Sequence, residues 1–163
     1  MIDAGGRQGD TVVTVRVPAT TANLGVGFDV LGLALELTAT FTFEPADTLL
    51  VEGCAPELCG EDNLVWTSYL AACAEYGLVR QPLRIVEDSP IPSSGGLGSS
   101  STCIVAGVLA AQVLGGLSLD RESALNIATR IEGHPDNGAA AVMGGLVSSF
   151  VTGDDTVTTL WVV

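Results

Sequence analysis

The chain has 163 residues, 47% of them hydrophobic, so it can bury the core of one domain. Nineteen acidic residues against six arginines and no lysine give a formal net charge of −13, which argues against nonspecific binding to nucleic acid or an anionic membrane. No apolar run is long enough to cross a bilayer, and residues 1–10 lack the apolar segment of a signal peptide. We therefore expect a cytoplasmic protein with neither nucleic acid nor membrane as a partner.

The first half of the chain predicts strands followed by one helix. Residues 11–17 alternate polar and apolar side chains and predict a strand that ends at Pro18, followed by an irregular stretch at 19–29. Further strands are predicted at 36–43 and 49–52, and a helix at 63–76 that stops at Gly77.

The second half predicts a strand at 83–86, a buried helix at 99–114, an amphipathic helix at 120–132, and strands at 145–151 and 156–163. Gly115 and Gly133 end the two helices, and a turn-rich break at 134–138 follows the second one. This order predicts an α+β fold, with a mixed sheet and helices packed on one of its faces.

The four cysteines show neither a CxxC pair nor a zinc-ligand spacing. Cys73 and Cys103 lie in apolar helical patterns, which indicate buried thiols. Cys54 and Cys59 are near enough in sequence to pair, but free thiols are favoured in a cytoplasmic chain.

A glycine-rich stretch, PSSGGLGSSST at 92–102, leads into the helix predicted at 99–114. Glycine frees backbone N–H groups to turn outward, and a helix N-terminus carries unpaired donors and partial positive charge. Together these features favour an anion site, most naturally for phosphate, although a loop that merely caps the helix has the same composition. The hydroxyls at 99–102 are suited to a phosphate oxygen or to Mg²⁺.

Two familiar phosphate loops do not fit this stretch. The P-loop requires a lysine, and the chain has none. The dinucleotide fingerprint requires a third glycine and an acidic residue that ends a strand about twenty positions later; Ser101 replaces the glycine, and Asp120 begins a helix.

A second polar cluster, EGHPDN, follows the amphipathic helix at 132–137. Glu132 is suited to be an oxygen ligand of Mg²⁺. His134 is the chain's single histidine, and either a structural or a functional role fits it. Asn23 and Asp29 form another polar pair, in the irregular stretch between apolar runs.

Three blocks in order resemble the homoserine kinase family, which belongs to the galactokinase, homoserine, mevalonate and phosphomevalonate kinase superfamily. They are VPATTANLGVGFDVLGLAL at 17–35, PSSGGLGSSS at 92–101, and EGHPDN at 132–137 with GGL at 144–146. The glycine loop alone indicates only the superfamily, whereas the three blocks together indicate homoserine kinases.

The resemblance implies phosphorylation of the L-homoserine hydroxyl by ATP with Mg²⁺, in threonine biosynthesis. Asn63 and Val65 would border the adenine, and Ser99, Ser100 and Glu132 would hold Mg²⁺. The residues around the ATP phosphates would be Pro92, Ser93, Ser94, Gly95, Gly96, Leu97, Gly98, Ser99, Ser100, Ser101 and Thr102. Those facing homoserine would be Asn23, Asp29 and His134. Glu132, Asp136 and Asn137 are the candidate catalytic residues, with a turn-stabilising role open for the last two.

The chain departs from the family in length and at single positions. Ser101 stands where the family usually has alanine, and Gly138 and Ala140 replace residues that are commonly valine and proline. The family is about twice as long, so we expect residues 1–152 to be the N-terminal ATP-binding domain and 153–163 to begin an otherwise missing C-terminal domain. Three alternatives are open for such a half: it is inactive alone, it needs that domain or a homodimer for activity, or it only binds nucleotide. Another kinase of the superfamily is a further alternative.

Overall fold

The computed structural model describes residues 3–5, 12–25 and 27–162, with 3–5 as backbone alone. Thr11, the predicted start of the first strand, lies outside the described residues, as does Val163 at the end of the last one. The strands are β1 (Asp3–Gly5), β2 (Val13–Leu24), β3 (Gly27–Pro45), β4 (Leu50–Glu52), β5 (Leu83–Asp88), β6 (Leu146–Val151) and β7 (Val157–Trp161). The α-helices are α1 (Leu64–Tyr76), α2 (Ser99–Leu114), α3 (Arg121–Glu132) and α4 (Asp136–Met143), and a 3₁₀ turn spans Pro56–Leu58.

The predicted irregular stretch at 19–29 is wrong, because most of it lies in a long hairpin of β2 and β3. β2 continues past Pro18 to Leu24, and its register against β3 shifts between Pro18 and Thr20 and again between Ala22 and Leu24. Such irregularities let a strand carry a proline and unusual backbone angles without breaking. Asn23 and Asp29 have φ values of 59° and 54°, a conformation that sequence alternation does not reveal.

The described strands form one mixed sheet in the order β1-β2-β3-β5-β4, with β6 and β7 attached through β3. β3 pairs with β5 through its second half and with β6 through residues 31–33. The described pairs are antiparallel except for β4 with β5. The predicted α+β fold with a mixed sheet is confirmed.

One face of the sheet supplies the core. Alternate side chains of β2 and β3 are fully buried: Val13, Val15, Val17, Ala19, Ala39, Phe41 and Phe43. The intervening positions are mostly polar and more accessible, which matches helices packed on a single face. α2 is buried along most of its length between α1, α3 and the sheet, as its all-round apolar sequence predicts.

The helix boundaries follow their end signals except at α4. Asn63 caps α1 and Asp120 caps α3, each through a side-chain oxygen that accepts from a backbone N–H, and Gly77 and Gly133 end these helices. The predicted break at 134–138 is too long, because α4 already begins at Asp136. This helix start packs on β3 at Gly32, where a Cβ would lie 2.2 Å from the Asp136 carbonyl oxygen.

The predicted domain boundary at 152/153 falls in the turn between β6 and β7. β7 pairs with β6 as predicted, in the same sheet as the other strands. The division into two domains stays a prediction. Within the described part of the chain, every helix is too short or too polar to cross a membrane.

Candidate active site

A cavity of about 590 Å³ lies where the glycine loop, the start of α1 and the end of α3 meet. Its walls bring together residues from all three of the sequence blocks. They are Ala22, Asn23, Leu58, Asp62, Asn63, Leu64, Glu87, residues 92–100, Cys103, Glu132, His134 and Asn137.

The glycine loop is anchored on β2. The Thr20 amide donates to the Leu97 carbonyl at 3.1 Å. Gly98, which precedes α2, has φ of 65°, and a Cβ there would lie 2.0 Å from Thr20 Oγ1. Only glycine fits both the backbone angle and the close approach, so the loop can lie against the strand and present its backbone to the cavity.

The four predicted hydroxyls divide into two pairs at the start of α2. Ser99 and Ser100 line the cavity. Ser101 and Thr102 are buried outside it, and the Thr102 hydroxyl donates to the Ser99 carbonyl at 2.7 Å. The first pair is therefore available to a ligand, whereas Thr102 supports its own helix.

Glu132, the last residue of α3, is tied to the start of α2. Ser100 Oγ donates to its Oε1 at 2.7 Å, and Ser101 Oγ donates to its Oε2 at 2.7 Å. A carboxylate beside a hydroxyl and a phosphate-type loop is a donor set that suits Mg²⁺, whose remaining ligands are commonly waters and phosphate oxygens. Within the described part of the chain, no group of three or more acidic, histidine or cysteine side chains could hold a metal ion, so waters and phosphate oxygens would complete the ligand set.

The EGHPDN block is held together by the buried carboxylate of Asp136. Its Oδ1 lies 2.8 Å from His134 Nδ1 and accepts from the Asn137 amide at 2.7 Å. The Asn137 side chain in turn accepts a hydrogen bond of 2.8 Å from the Thr20 hydroxyl. Asp136 therefore positions two residues that line the cavity, His134 and Asn137, without lining it itself.

At the opposite end of the cavity, Asn63 joins the start of α1 to β5. Its Oδ1 accepts from the Trp66 amide at 3.0 Å, and its Nδ2 donates to the Leu58 carbonyl at 3.0 Å and to Glu87 Oε1 at 2.7 Å. Burial raises the pKa of Glu87 above its ordinary value, and the bond from Asn63 partly offsets this. Both hydrogens of the Asn63 side-chain amide are thus donated within the protein, and the side chain forms a wall of the cavity.

Most of the predicted site residues line this cavity, but five do not: Asp29, Val65, Ser101, Thr102 and Asp136. Val65 is fully buried in the core, and Asp29 is exposed on the hairpin, where its amide donates to Asn23 Oδ1. Thr20 behind the loop and six residues of the walls were not predicted from the sequence; the six are Ala22, Leu58, Asp62, Leu64, Glu87 and Cys103. Glu87 lies near the end of β5, shortly before the glycine loop, and this position was the one available signal.

The cavity offers backbone donors and hydroxyls to an anion, with no arginine among the described residues that line it. Residues 63–145, about half of the chain, match the family model for the GHMP kinases N terminal domain. The chain belongs to the GHMP kinase family. The match covers the glycine loop, Glu132 and Asn137.

Two homoserine kinases are similar to this chain, one compared by sequence and one by fold. A homoserine kinase of Clostridium beijerinckii is 46% identical over 138 residues, which are 83% of this chain and 46% of that protein. The solved homoserine kinase of Cytophaga hutchinsonii has a TM-score of 0.75 and 26% identity, covering 98% of this chain and 54% of that one. This chain thus spans about half the length of the homoserine kinases it matches.

Proposed function

We propose that this chain is the nucleotide-binding part of a homoserine kinase, which transfers the γ-phosphoryl group of ATP to the side-chain hydroxyl of L-homoserine. The products are ADP and O-phospho-L-homoserine, an intermediate towards threonine. The observation that carries the proposal is a single cavity that joins the glycine loop to Glu132 through Ser100. The likeness to proteins named homoserine kinase supports the choice of substrate.

The cavity has one natural direction for ATP. The loop at 92–98 and the start of α2 supply backbone N–H groups for the triphosphate. The base would lie towards Leu58 and Leu64, which are apolar, and the γ-phosphate towards Glu132 and Asn137 at the other end. Backbone N–H groups can bind phosphate without a lysine side chain, and this chain has no lysine.

Glu132 would hold Mg²⁺ together with the hydroxyls of Ser99 and Ser100, while the ion would also bind phosphate oxygens. Mg²⁺ supplies charge neutralisation for the transferred group when it is bound. Ser100 and Ser101 already fix both carboxylate oxygens, so the carboxylate is oriented before a ligand arrives. Such preorganisation lowers the cost of binding.

Homoserine would lie beside the γ-phosphate, against Asn23, His134 and Asn137. The contact of His134 Nδ1 with Asp136 fixes the ring, and the bond from Thr20 fixes the Asn137 amide. Phosphoryl transfer depends mainly on positioning and charge neutralisation, so this arrangement needs no strong general base. Asp136 contributes by orienting its two neighbours, and the placement of Asp29 beside homoserine stays a prediction.

The test is ADP release from Mg-ATP with L-homoserine, with mevalonate and galactose as controls, while ATP binding is measured separately by thermal protection. Turnover with homoserine alone supports the proposal. Turnover with another alcohol would favour a different kinase of the family. ATP protection without any turnover favours a second candidate function, a nucleotide-binding unit without catalysis of its own. The observation that favours this candidate is that the chain matches only about half the length of whole kinases. Absence of both contradicts the nucleotide assignment.

A further inference from the structure

Two cysteines face each other beside the base end of the cavity. Cys54 follows β4, and Cys59 follows the 3₁₀ turn at Pro56–Leu58. Their Sγ atoms lie 2.8 Å apart, and both residues are free, half-buried thiols. Because they are separated by five positions and already adjacent, a bond between them needs little movement of the chain.

The turn between them is ordered by its own backbone. The Leu58 amide donates to the Ala55 carbonyl at 2.8 Å, and the Cys59 amide donates to the Pro56 carbonyl at 3.3 Å. The same turn touches the cavity, since Leu58 lines it and the Leu58 carbonyl accepts from Asn63. The state of the two thiols is thereby linked to the wall of the nucleotide cavity.

We propose that Cys54 and Cys59 are a modification site, where a low-molecular-weight disulfide converts them into an intrachain disulfide. The Cys59 thiolate attacks one sulfur of the small disulfide, whose S–S bond breaks and releases one small thiol. The Cys54 thiolate then attacks Cys59 Sγ and releases the second small thiol. Two protein thiols become one disulfide, and two electrons and two protons pass to the small molecule.

The order of the two steps follows from the surroundings of each thiol. Burial raises the pKa of Cys54 to about 12, with a further contribution from its contact with Cys59, so it is a poor first nucleophile. Cys54 acts after the first step, when the neighbouring sulfur carries a leaving group. Burial also raises the pKa of Cys103 to about 12.

The disulfide would close a short loop whose two sulfurs are already adjacent and whose turn is already hydrogen-bonded. Oxidation therefore restricts the unfolded chain more than it disturbs the folded one. We expect the thermal midpoint to rise by about 5 °C on oxidation and to return when a reducing agent is added.

The experiment treats the whole chain with uncharged 2-hydroxyethyl disulfide, blocks the remaining thiols, and digests with a protease that cuts after glutamate. Glu57 lies between the two cysteines, so cleavage after residues 52, 57 and 61 leaves fragments 53–57 and 58–61, which stay joined only by the proposed bond. We expect the joined pair in a monomer that has lost two hydrogen atoms, with a raised thermal midpoint. Separate fragments, a stable small-thiol adduct on Cys59, or an interchain dimer would each overturn the proposal.

Cys103→Ser is the matched control, because it removes a half-buried cysteine at the same cavity and should leave both readouts unchanged. Cys54→Ser and Cys59→Ser should each abolish the joined pair and the shift in midpoint. A shift that persists in either variant would also contradict the proposal. The readouts use no nucleotide, so their outcome is independent of the proposed kinase function.

Discussion

The Thr20 hydroxyl donates a hydrogen bond of 2.8 Å to Oδ1 of Asn137, a residue 117 positions later in the chain. The amide of the same threonine donates to the Leu97 carbonyl, so one buried residue holds both the glycine loop and the start of α4. Thr20 thereby links the glycine loop to the proposed substrate end of the cavity.

We expect Thr20→Val to lower the free energy of unfolding by about 1–2 kcal/mol, because the side chain keeps its shape but loses the donor to Asn137. The affinity for Mg-ATP should fall as well, since the loop and α4 lose their shared support. Urea denaturation and calorimetric titration measure the two effects. Thr20→Ser, which keeps the hydroxyl, should retain most of the affinity. Equal affinities in all three proteins would show that the bond does not position the site.

A second prediction concerns Gly98 and separates backbone strain from steric collision. Gly98→Ala should destabilise the chain and abolish detectable ATP binding, because its Cβ would collide with Thr20 Oγ1. Gly116→Ala is the matched control: its φ of 72° is similar, but a Cβ there meets nothing within 4 Å. The control should lower the free energy of unfolding by only about 1–2 kcal/mol, the penalty of a left-handed backbone for alanine. Similar losses of stability and of ATP binding in both variants would contradict the tight contact between the loop and β2.

Glu132→Gln tests the proposed metal ligand. The amide keeps the size and one acceptor oxygen beside Ser100 and Ser101 but removes the charge. We therefore expect the factor by which Mg²⁺ strengthens ATP binding to be at least about tenfold smaller than in the unchanged chain. Binding measured in the presence of a metal chelator should change little. Glu122→Gln, at the exposed start of the same helix, is the control and should leave the Mg²⁺ effect intact. A full Mg²⁺ effect in Glu132→Gln would remove this residue from the metal site.

The fourth prediction follows from Glu87. Burial raises its pKa above the ordinary value of 4.5, so the folded chain holds this proton more tightly than the unfolded chain does. The corresponding stability is present below pH 4.5 and is lost as the pH rises through the folded-state pKa. Glu87→Gln keeps an acceptor for Asn63 and does not titrate, so its stability relative to the unchanged chain should increase as the pH rises.

Urea denaturation at about pH 5 and about pH 8 measures this difference. Glu61→Gln, the control, changes an exposed carboxylate outside the cavity. Its stability relative to the unchanged chain should differ little between the two pH values. If the stability of Glu87→Gln relative to the unchanged chain stays constant or falls as the pH rises, this would contradict a raised pKa of Glu87.

The sequence predicted the helices better than the hairpin because helix ends carry local signals. Asn63, Asp120, Gly77 and Gly133 each act through groups within a few residues, and the structure confirms the predicted helix ends at Gly77 and Gly133. The path of β2 beyond Pro18 depends instead on its pairing with β3 across the sheet. A proline followed by two glycines, Gly25 and Gly27, indicates a loop unless that distant partner is known.

By itself, the sequence determined the position of the glycine loop, the choice of Glu132 as a candidate metal ligand, and the family to which the chain belongs. These conclusions rest on residue types at fixed spacing. Only the tertiary structure decided which of those residues share a cavity. It separated Ser99 and Ser100 from the buried Ser101 and Thr102, and it placed Asp136 behind the site. It also revealed Thr20, whose role comes from contacts with residues far along the chain, and such contacts leave no periodic pattern in the sequence.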